Sequence, residues 1–382
     1  MIDSIAEDAI RKKAFPGCVM LVAKNGTVIF EKAYGYYTYD SADAVETSSV
    51  YDLASLTKML ATTLAIMKLT EEGKVLLDAP ISLYLPTLKK TNKANLTIRE
   101  LLLHQSGLAP GIPFEKEIYD RSGLLSENYR TRSVWHFTKQ VADGLFVSDQ
   151  FVESIWARIQ ASSLRSKSYA YSDLGFLYLG RIVQKVSGKT LDKYVDENFY
   201  IPLQLAYTGF HPLNFISRDK IVPSEYDLQF RKQILRGTVQ DPTAAWMGGV
   251  AGNAGLFSNA HEVFMLMQML LNGGSMKGHQ FLSPETIGSF TQRYSTSRRG
   301  LGFDMTDPQN AKRDEPYPTP PASLRTYGHT GYTGTCAWAD PESGLVFVFV
   351  SNRLYPNNNN VFSRLNIRSK LHEAAYHLAS FF

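Results

Sequence analysis

The sequence predicts an α/β protein of the α+β kind: one antiparallel sheet assembled from the N- and C-terminal segments and flanked by helices, plus an all-helical lobe from the middle. Three observations carry this. Near the start, the β-rich run "CVMLVAKNGTVIFEKAYG" brackets Asn25 and Gly26, and Asn-Gly between such runs is a strong hairpin signal. Near the end, "RTYGHTGYTGTCAWADPESGLVFVFVSNR" alternates strand runs with a Pro/Glu/Ser/Gly turn at 341–344. Between them, apolar residues recur at helical spacing. Strands at both ends with helices between imply a sheet closed by the two termini. Residues 1–80 and 288–382 are assigned to the sheet lobe and 81–287 to the helical lobe, with a site expected at their seam.

After the hairpin, an apolar helix is expected over 55–72, stopped by Gly73. "TIRELLLHQSG" (97–107) repeats the scheme, with Thr97 as N-cap, Glu100 three residues on and Gly107 as stop. "SDLGFLYLGRIVQKVSG" and "AHEVFMLMQMLLNGG" are two more apolar helices ending at glycine, and "SRLNIRSKLHEAAYHLAS" reads as a terminal amphipathic helix. Residues 111–116, 295–322 and 357–360 are polar, Pro-rich or Asn-rich and read as loops.

With 382 residues, 44% hydrophobic and 20% charged, the chain can bury a large core. A net charge of +4 without a long basic run argues against nucleic acid as a partner. No run approaches the roughly 18 apolar residues of a membrane span, and "MIDSIAEDAIRKK" has no apolar h-region, so neither a transmembrane segment nor a signal peptide is read. Cys18 and Cys336, far apart, make no disulfide framework and are expected in the core.

Several motifs fail on spacing. "SGKT" at 187–190 lacks the earlier glycine of a P-loop, because position 183 is Val183. The histidines of "HEAAYH" (372–377) are five apart and would not share a helix face, so no metal is expected. No G-x-S-x-G elbow occurs. S-x-x-K occurs at Ser217 and Lys220, in a polar stretch where the lysine can be solvated, and at Ser55 and Lys58, where "MLATTLAIMKL" follows. That second lysine should be buried, and a buried unpaired ammonium is expensive. Three residues apart on a helix, the Lys58 amine can reach the Ser55 hydroxyl, and burial should depress its pKa so that it can take the serine proton. Ser55 should lie in the first helical turn, after Asp52 as capping candidate, with its own N–H facing outward as an oxyanion donor. The bland alternative is that Lys58 snorkels to the surface and Ser55 merely caps the helix.

Downstream stand Tyr171, Ser172 and Asp173 before an apolar helix, then His329, Thr330 and Gly331 on a strand. With "LLLHQSGL", "YSDLGFLYLGRIVQKVSG", "GVAGNAGLFSNAHEV" and "GHTGYTG", the chain resembles the serine β-lactamases and penicillin-recognising DD-peptidases, especially the class C β-lactamase, DD-carboxypeptidase and esterase branch. The resemblance implies a β-lactamase/transpeptidase-like fold and a periplasmic or extracytoplasmic location. It makes Ser55 the acylated nucleophile, Lys58 its proton partner and Tyr171 the general base and acid, without a cofactor. It also implies a substrate strand offering the Tyr332 N–H as second oxyanion donor, and a small-molecule or peptide substrate: a peptidoglycan stem peptide, a β-lactam or an ester.

Two departures matter. Asp173 stands where the family has asparagine: it either holds Lys58 protonated or caps the following helix, and the two are compatible. His329 stands where the family has lysine, so a substrate carboxylate is expected to bind better near pH 6 than near pH 8. The resemblance implies a serine hydrolysis of an amide or ester carbonyl, with a D-Ala-D-Ala-type peptidase or β-lactamase-like enzyme expected first. A carboxylesterase, or a weakly active penicillin- or peptidoglycan-binding module, remains open.

Overall fold

The structure, a computed structural model, describes residues 1–40, 42–113, 118–119, 125–294 and 297–382; the expected loop positions 114–116 and 295–296 lie outside these. The main sheet has six strands: β1 (Gly17–Lys24), β2 (Thr27–Gly35), β3 (Asp304–Met305), β4 (Tyr327–Thr330), β5 (Cys336–Asp340) and β6 (Leu345–Ser351). Their order is β3-β4-β5-β6-β1-β2, with every neighbouring pair antiparallel. The two chain ends therefore meet at the centre of the sheet, where Cys18 lies opposite Ser351 and Lys24 opposite Leu345. The β1–β2 turn is the one the sequence announces: Asn25 and Gly26 have φ of 50° and 81°, the two left-handed residues a type I′ turn requires.

Because strand side chains alternate, β1 and β6 feed two cores. Val19, Leu21, Val348 and Val350 join the large core shared with the central helices, while Cys18, Met20, Phe347 and Phe349 face the outer layer. That layer is made by α1 (Ile2–Arg11) and the terminal helix Ile367–Ala379. Burying each such Phe or Val side chain contributes about 1.5–3 kcal/mol. Both cysteines are free and buried.

The other face of the sheet is covered by Ala260–Leu271, which packs on β1, β5 and β6. This helix is apolar nearly all round because it is enclosed between the sheet and the central helices. Its position differs from the division at 287, which would leave it in the helical lobe. Two elements carried signals the sequence reading passed over. In α1, Ile2, Ala6 and Ala9 fall on one buried face. Between 129 and 161 lie a small three-stranded sheet and the helix Asp149–Ala161, capped by Ser148. Among the described residues no helix is long and apolar enough to cross a membrane.

The helix at Thr97 has its capping box: Thr97 Oγ1 accepts from the Glu100 N–H, and the Glu100 carboxylate accepts from the Thr97 N–H. It ends sooner than expected, at Leu102, because His104 turns left-handed with φ 55°. Thr97→Ala should lower unfolding free energy by about 1 kcal/mol, read in urea as a lower midpoint with unchanged slope.

Candidate active site

Ser55 does not lie inside a helix. It sits on a turn between the short strand Tyr51–Asp52 and the helical segment that follows, and Ala54 before it takes the left-handed φ of 48°. Asp52 fixes this turn rather than capping a helix. One carboxylate oxygen accepts from the Ala54 N–H at 2.8 Å and the other from the Gln240 N–H at 2.6 Å. From the sheet side, Thr333 Oγ1 donates to the Asp52 carbonyl at 2.7 Å and Thr335 Oγ1 to the Leu53 carbonyl at 3.0 Å. Gly331 is required for this close approach, since a Cβ there would lie 2.5 Å from the Leu53 carbonyl oxygen.

The following six residues, Lys58–Thr63, are wound as a π-helix before α2 (Leu64–Glu71) begins; such bulges recur at functional sites. Lys58 does not snorkel: its side chain is fully buried. Its Nζ donates to Ser55 Oγ at 2.9 Å and to the Asn253 carbonyl at 3.0 Å, and lies 2.7 Å from Asp173 Oδ1. It also sits over the rings of Tyr171 and Phe176, 5.0 and 5.7 Å from their centroids. Burial pulls the Lys58 pKa down, as expected, but the Asp173 carboxylate and Tyr171 more than reverse it, and the net shift is upward. Lys58 is an ammonium, so the expected depression is corrected by the carboxylate beside it.

Asp173 opens α3 (Asp173–Ser187) as its first residue, and Ser172 holds the N-cap position. Of its two expected roles, the structure gives it the pairing with Lys58. Tyr171 directs its hydroxyl to Ser55 Oγ at 2.9 Å. Burial raises its pKa, Lys58 pulls it down and Asp173 raises it, with a net upward shift, so the side chain is a phenol. The segment carrying it is fastened to "HQSGLAP". The Ala170 N–H donates to the His104 carbonyl, the Ser172 N–H to His104 Nδ1, Ser172 Oγ to the Ala109 carbonyl and the Asp173 N–H to the Pro110 carbonyl.

The cleft in front of Ser55 has a volume of about 340 Å³ and is lined by Tyr171, His329, Thr330, Gly331 and Tyr332 among others. His329 is buried, and its Nδ1 donates to the Thr330 carbonyl at 2.7 Å. Burial, opposed by Asp304 and reinforced by Arg299 and Lys58, takes its pKa down to about 4. It is thus neutral at both pH 6 and pH 8, and the expected gain in carboxylate binding at pH 6 is withdrawn. The cations of the cleft are instead four residues the sequence reading missed: Arg298, Arg299, Arg353 and Arg368. Arg299 is paired with Asp304 at 2.9 Å. Arg353 Nε donates to the Tyr332 carbonyl at 2.7 Å, and Arg368, from the terminal helix, donates to the Gly331 carbonyl. Among the described residues neither of these two has a carboxylate partner. Burial and the neighbouring Arg368 push Arg353 down to about 10. No local motif marks these arginines, which come from three separate segments.

The dismissed motifs lie elsewhere. Lys220 is paired with Glu46 in solvent, and His372 is stacked on Phe347 at 4.5 Å in the outer core. A larger cavity of about 1040 Å³, lined by Trp156, Arg181 and Gly252, does not include Ser55, Lys58 or Tyr171. Among the described residues no group of three His, Cys, Asp or Glu is placed to hold a metal ion.

A serine joined to a buried lysine and a tyrosine, beneath the edge of an antiparallel sheet flanked by helices, defines a serine hydrolase of the penicillin-recognising fold. The chain belongs to the Beta-lactamase family, whose model matches residues 2–372. It is 32% identical over 365 residues to an N-acetylmuramyl-L-alanine amidase of Bacillus subtilis (strain 168), covering 89% of this chain and 77% of that one. It is 34% identical over 369 residues to a protein provisionally named D-alanyl-D-alanine carboxypeptidase in Escherichia coli (strain K12), covering 89% and 79%. The structure of a penicillin-binding protein homolog from Caulobacter crescentus superposes with a TM-score of 0.70 at 19% identity, over 99% of this chain and 96% of that one, a likeness of fold.

The Lys58–Asp173 pair predicts a pH-dependent stability. With Asp173 present, the folded Lys58 pKa lies above its ordinary value of about 10.4, so its contribution is intact at neutral pH and is lost only as pH rises through the folded pKa. In Asp173→Asn the largest raising influence is gone while burial, the largest lowering one, stays, so the folded pKa moves down and the buried ammonium is held less well as pH drops. The Tm difference between wild type and Asp173→Asn should therefore be larger at pH 7 than at pH 10, as thermal unfolding at both pH values would read; a constant gap would refute the pairing.

Proposed function

We propose that the protein is an acyl-serine hydrolase of the D-Ala-D-Ala peptidase type, with Ser55 as nucleophile, Lys58 and Tyr171 as its proton partners, and a substrate carrying a carboxylate. The observation that supports it above the others is the convergence of Lys58 Nζ and Tyr171 OH on Ser55 Oγ, both at 2.9 Å, in a cleft with more arginines than carboxylates. The excess positive charge favours an anionic substrate group over a neutral ester and suits the C-terminal carboxylate of a peptide. The names of the amidase and carboxypeptidase relatives point the same way.

With Lys58 an ammonium and Tyr171 a phenol, both neighbours of Ser55 are donors, and neither can take its proton. One proton must leave the cluster first, and the Lys58 charge favours losing it from Tyr171. The Tyr171 oxygen then accepts the Ser55 proton as Oγ bonds to the substrate carbonyl carbon, and the carbonyl electron pair moves to its oxygen. The N–H groups of Ser55 and Tyr332 donate to no acceptor among the described residues and are free to hold that oxygen; each such donor contributes about 3 kcal/mol. Tyr171 returns the proton to the leaving nitrogen as the C–N bond breaks, and water later cleaves the Ser55 ester. Thr330 and Gly331 line the path of the substrate backbone.

Exposure to a fluorescent penicillin and, separately, to a fluorophosphonate should give a covalent adduct by intact mass, absent in Ser55→Ala; no adduct with either leaves a binding module in its place. A D-Ala-D-Ala peptide with a free C-terminus should be cleaved with a kcat/KM at least about tenfold above its C-terminal amide, and equal rates would favour the esterase reading. Asp173→Asn removes the charge that holds protons on the cluster, so the acidic limb of kcat/KM against pH should move to lower pH, by about one unit or more.

A further inference from the structure

We propose that His104 is a positioning residue for the proton-transfer step, holding the Tyr171 phenol on Ser55 from behind. The inference rests on the reading of Tyr171 as the proton carrier.

His104 grips the chain on both sides of Tyr171. Its carbonyl accepts from the Ala170 N–H at 2.9 Å, and its ring Nδ1 accepts from the Ser172 N–H at 3.0 Å. Between these two anchors the imidazole stacks on the Tyr171 ring, with centroids 4.5 Å apart and planes 30° apart. Phe176 flanks the imidazole at 5.3 Å and Tyr169 at 6.4 Å. One main-chain bond, one bond from a main-chain N–H to the imidazole and one ring face thus fix the height, rotation and tilt of the phenol whose oxygen lies 2.9 Å from Ser55 Oγ.

The chemistry of the ring singles it out from a space-filling core residue. Because Nδ1 accepts from a backbone N–H, the proton of the neutral ring is on Nε2, and that buried Nε2 has no partner among the described residues. Burial, reinforced by the Arg299 and Lys58 cations, keeps it neutral; His329, itself neutral, is the other titratable group that bears on it. The backbone is left-handed here, at φ 55°. A leucine or phenylalanine would fill the space without an orphaned N–H, but neither would give the Ser172 N–H its acceptor.

Effects that act through one group are not additive, so the test is a double-mutant cycle on wild type, His104→Ala, Tyr171→Phe and the double variant. Hydrolysis of a p-nitrophenyl ester would be read as kcat and KM, with folding followed by thermal unfolding. His104→Ala should lower kcat about 100-fold with KM changed by less than about threefold, and should add no further loss in the Tyr171→Phe background. Independent, multiplying losses overturn the inference while leaving Tyr171 its role; an unchanged kcat in Tyr171→Phe overturns that role and the inference together. His104→Asn places an oxygen where Nδ1 was and tolerates the left-handed backbone, so it should recover about tenfold of the alanine loss even if the alanine variant folds poorly. An asparagine variant no more active than the alanine one also overturns it.

Discussion

The site depends on one buried positive charge. Removing the Lys58 ammonium from water costs several kcal/mol, and this cost is offset only when its partners arrive together. They come from separate parts of the chain: Ser55 beside it, Asp173 and the ring of Phe176 on α3, the ring of Tyr171 just before that helix, and the carbonyl of Asn253. The constraint runs both ways. The helix beginning at Asp173 must stand where its first carboxylate reaches the amine, and residues 252–253 must turn their carbonyls inward, where Thr62 and Lys58 donate to them.

This coupling also makes the aspartate intelligible. An asparagine at 173 would offer the lysine a neutral oxygen and leave its protonation to burial. The carboxylate instead fixes the charge, so the cluster rests with one proton more than the proposed attack by Ser55 allows. In the proposed mechanism Tyr171 therefore carries more of the proton traffic than the S-x-x-K spacing alone suggests, and its placement through His104 and the 107–110 turn becomes part of that chemistry.

Much of this was legible in the sequence wherever a short-range rule applied. Asn25-Gly26 announced its hairpin, Thr97 and Glu100 their capping box, and the cost of burying Lys58 drew attention to Ser55. What local spacing could not carry was protonation. Burial was expected to take the proton from Lys58 and low pH to give one to His329, yet each does the reverse, because what decides lies far off in sequence: for the first the Asp173 carboxylate, which the sequence offers as only one of two roles, and for the second the burial of the ring, reinforced by Arg299 against the pull of Asp304. The arginines of the cleft were invisible for the same reason, since Arg298, Arg353 and Arg368 converge only after the last helix has docked. The helix Ile2–Arg11 is a different kind of miss, because its periodicity was present and only its lack of a signal-peptide core was weighed.

The central pairing of β1 with β6 carries a consequence for the history of each molecule. Thr333 and Thr335, which fasten the turn bearing Ser55, lie 281 and 282 residues after the carbonyls they bind. At translation rates of about 5–20 residues per second, the segment bearing Ser55 waits on the order of tens of seconds before its fasteners exist. During that interval the β1–β2 hairpin has no strand at its inner edge, and a chain still on the ribosome holds its serine but no working site. On the proposed mechanism, the site is then incomplete in every chain that ends before these fasteners, even though Ser55, Lys58 and Tyr171 are all present.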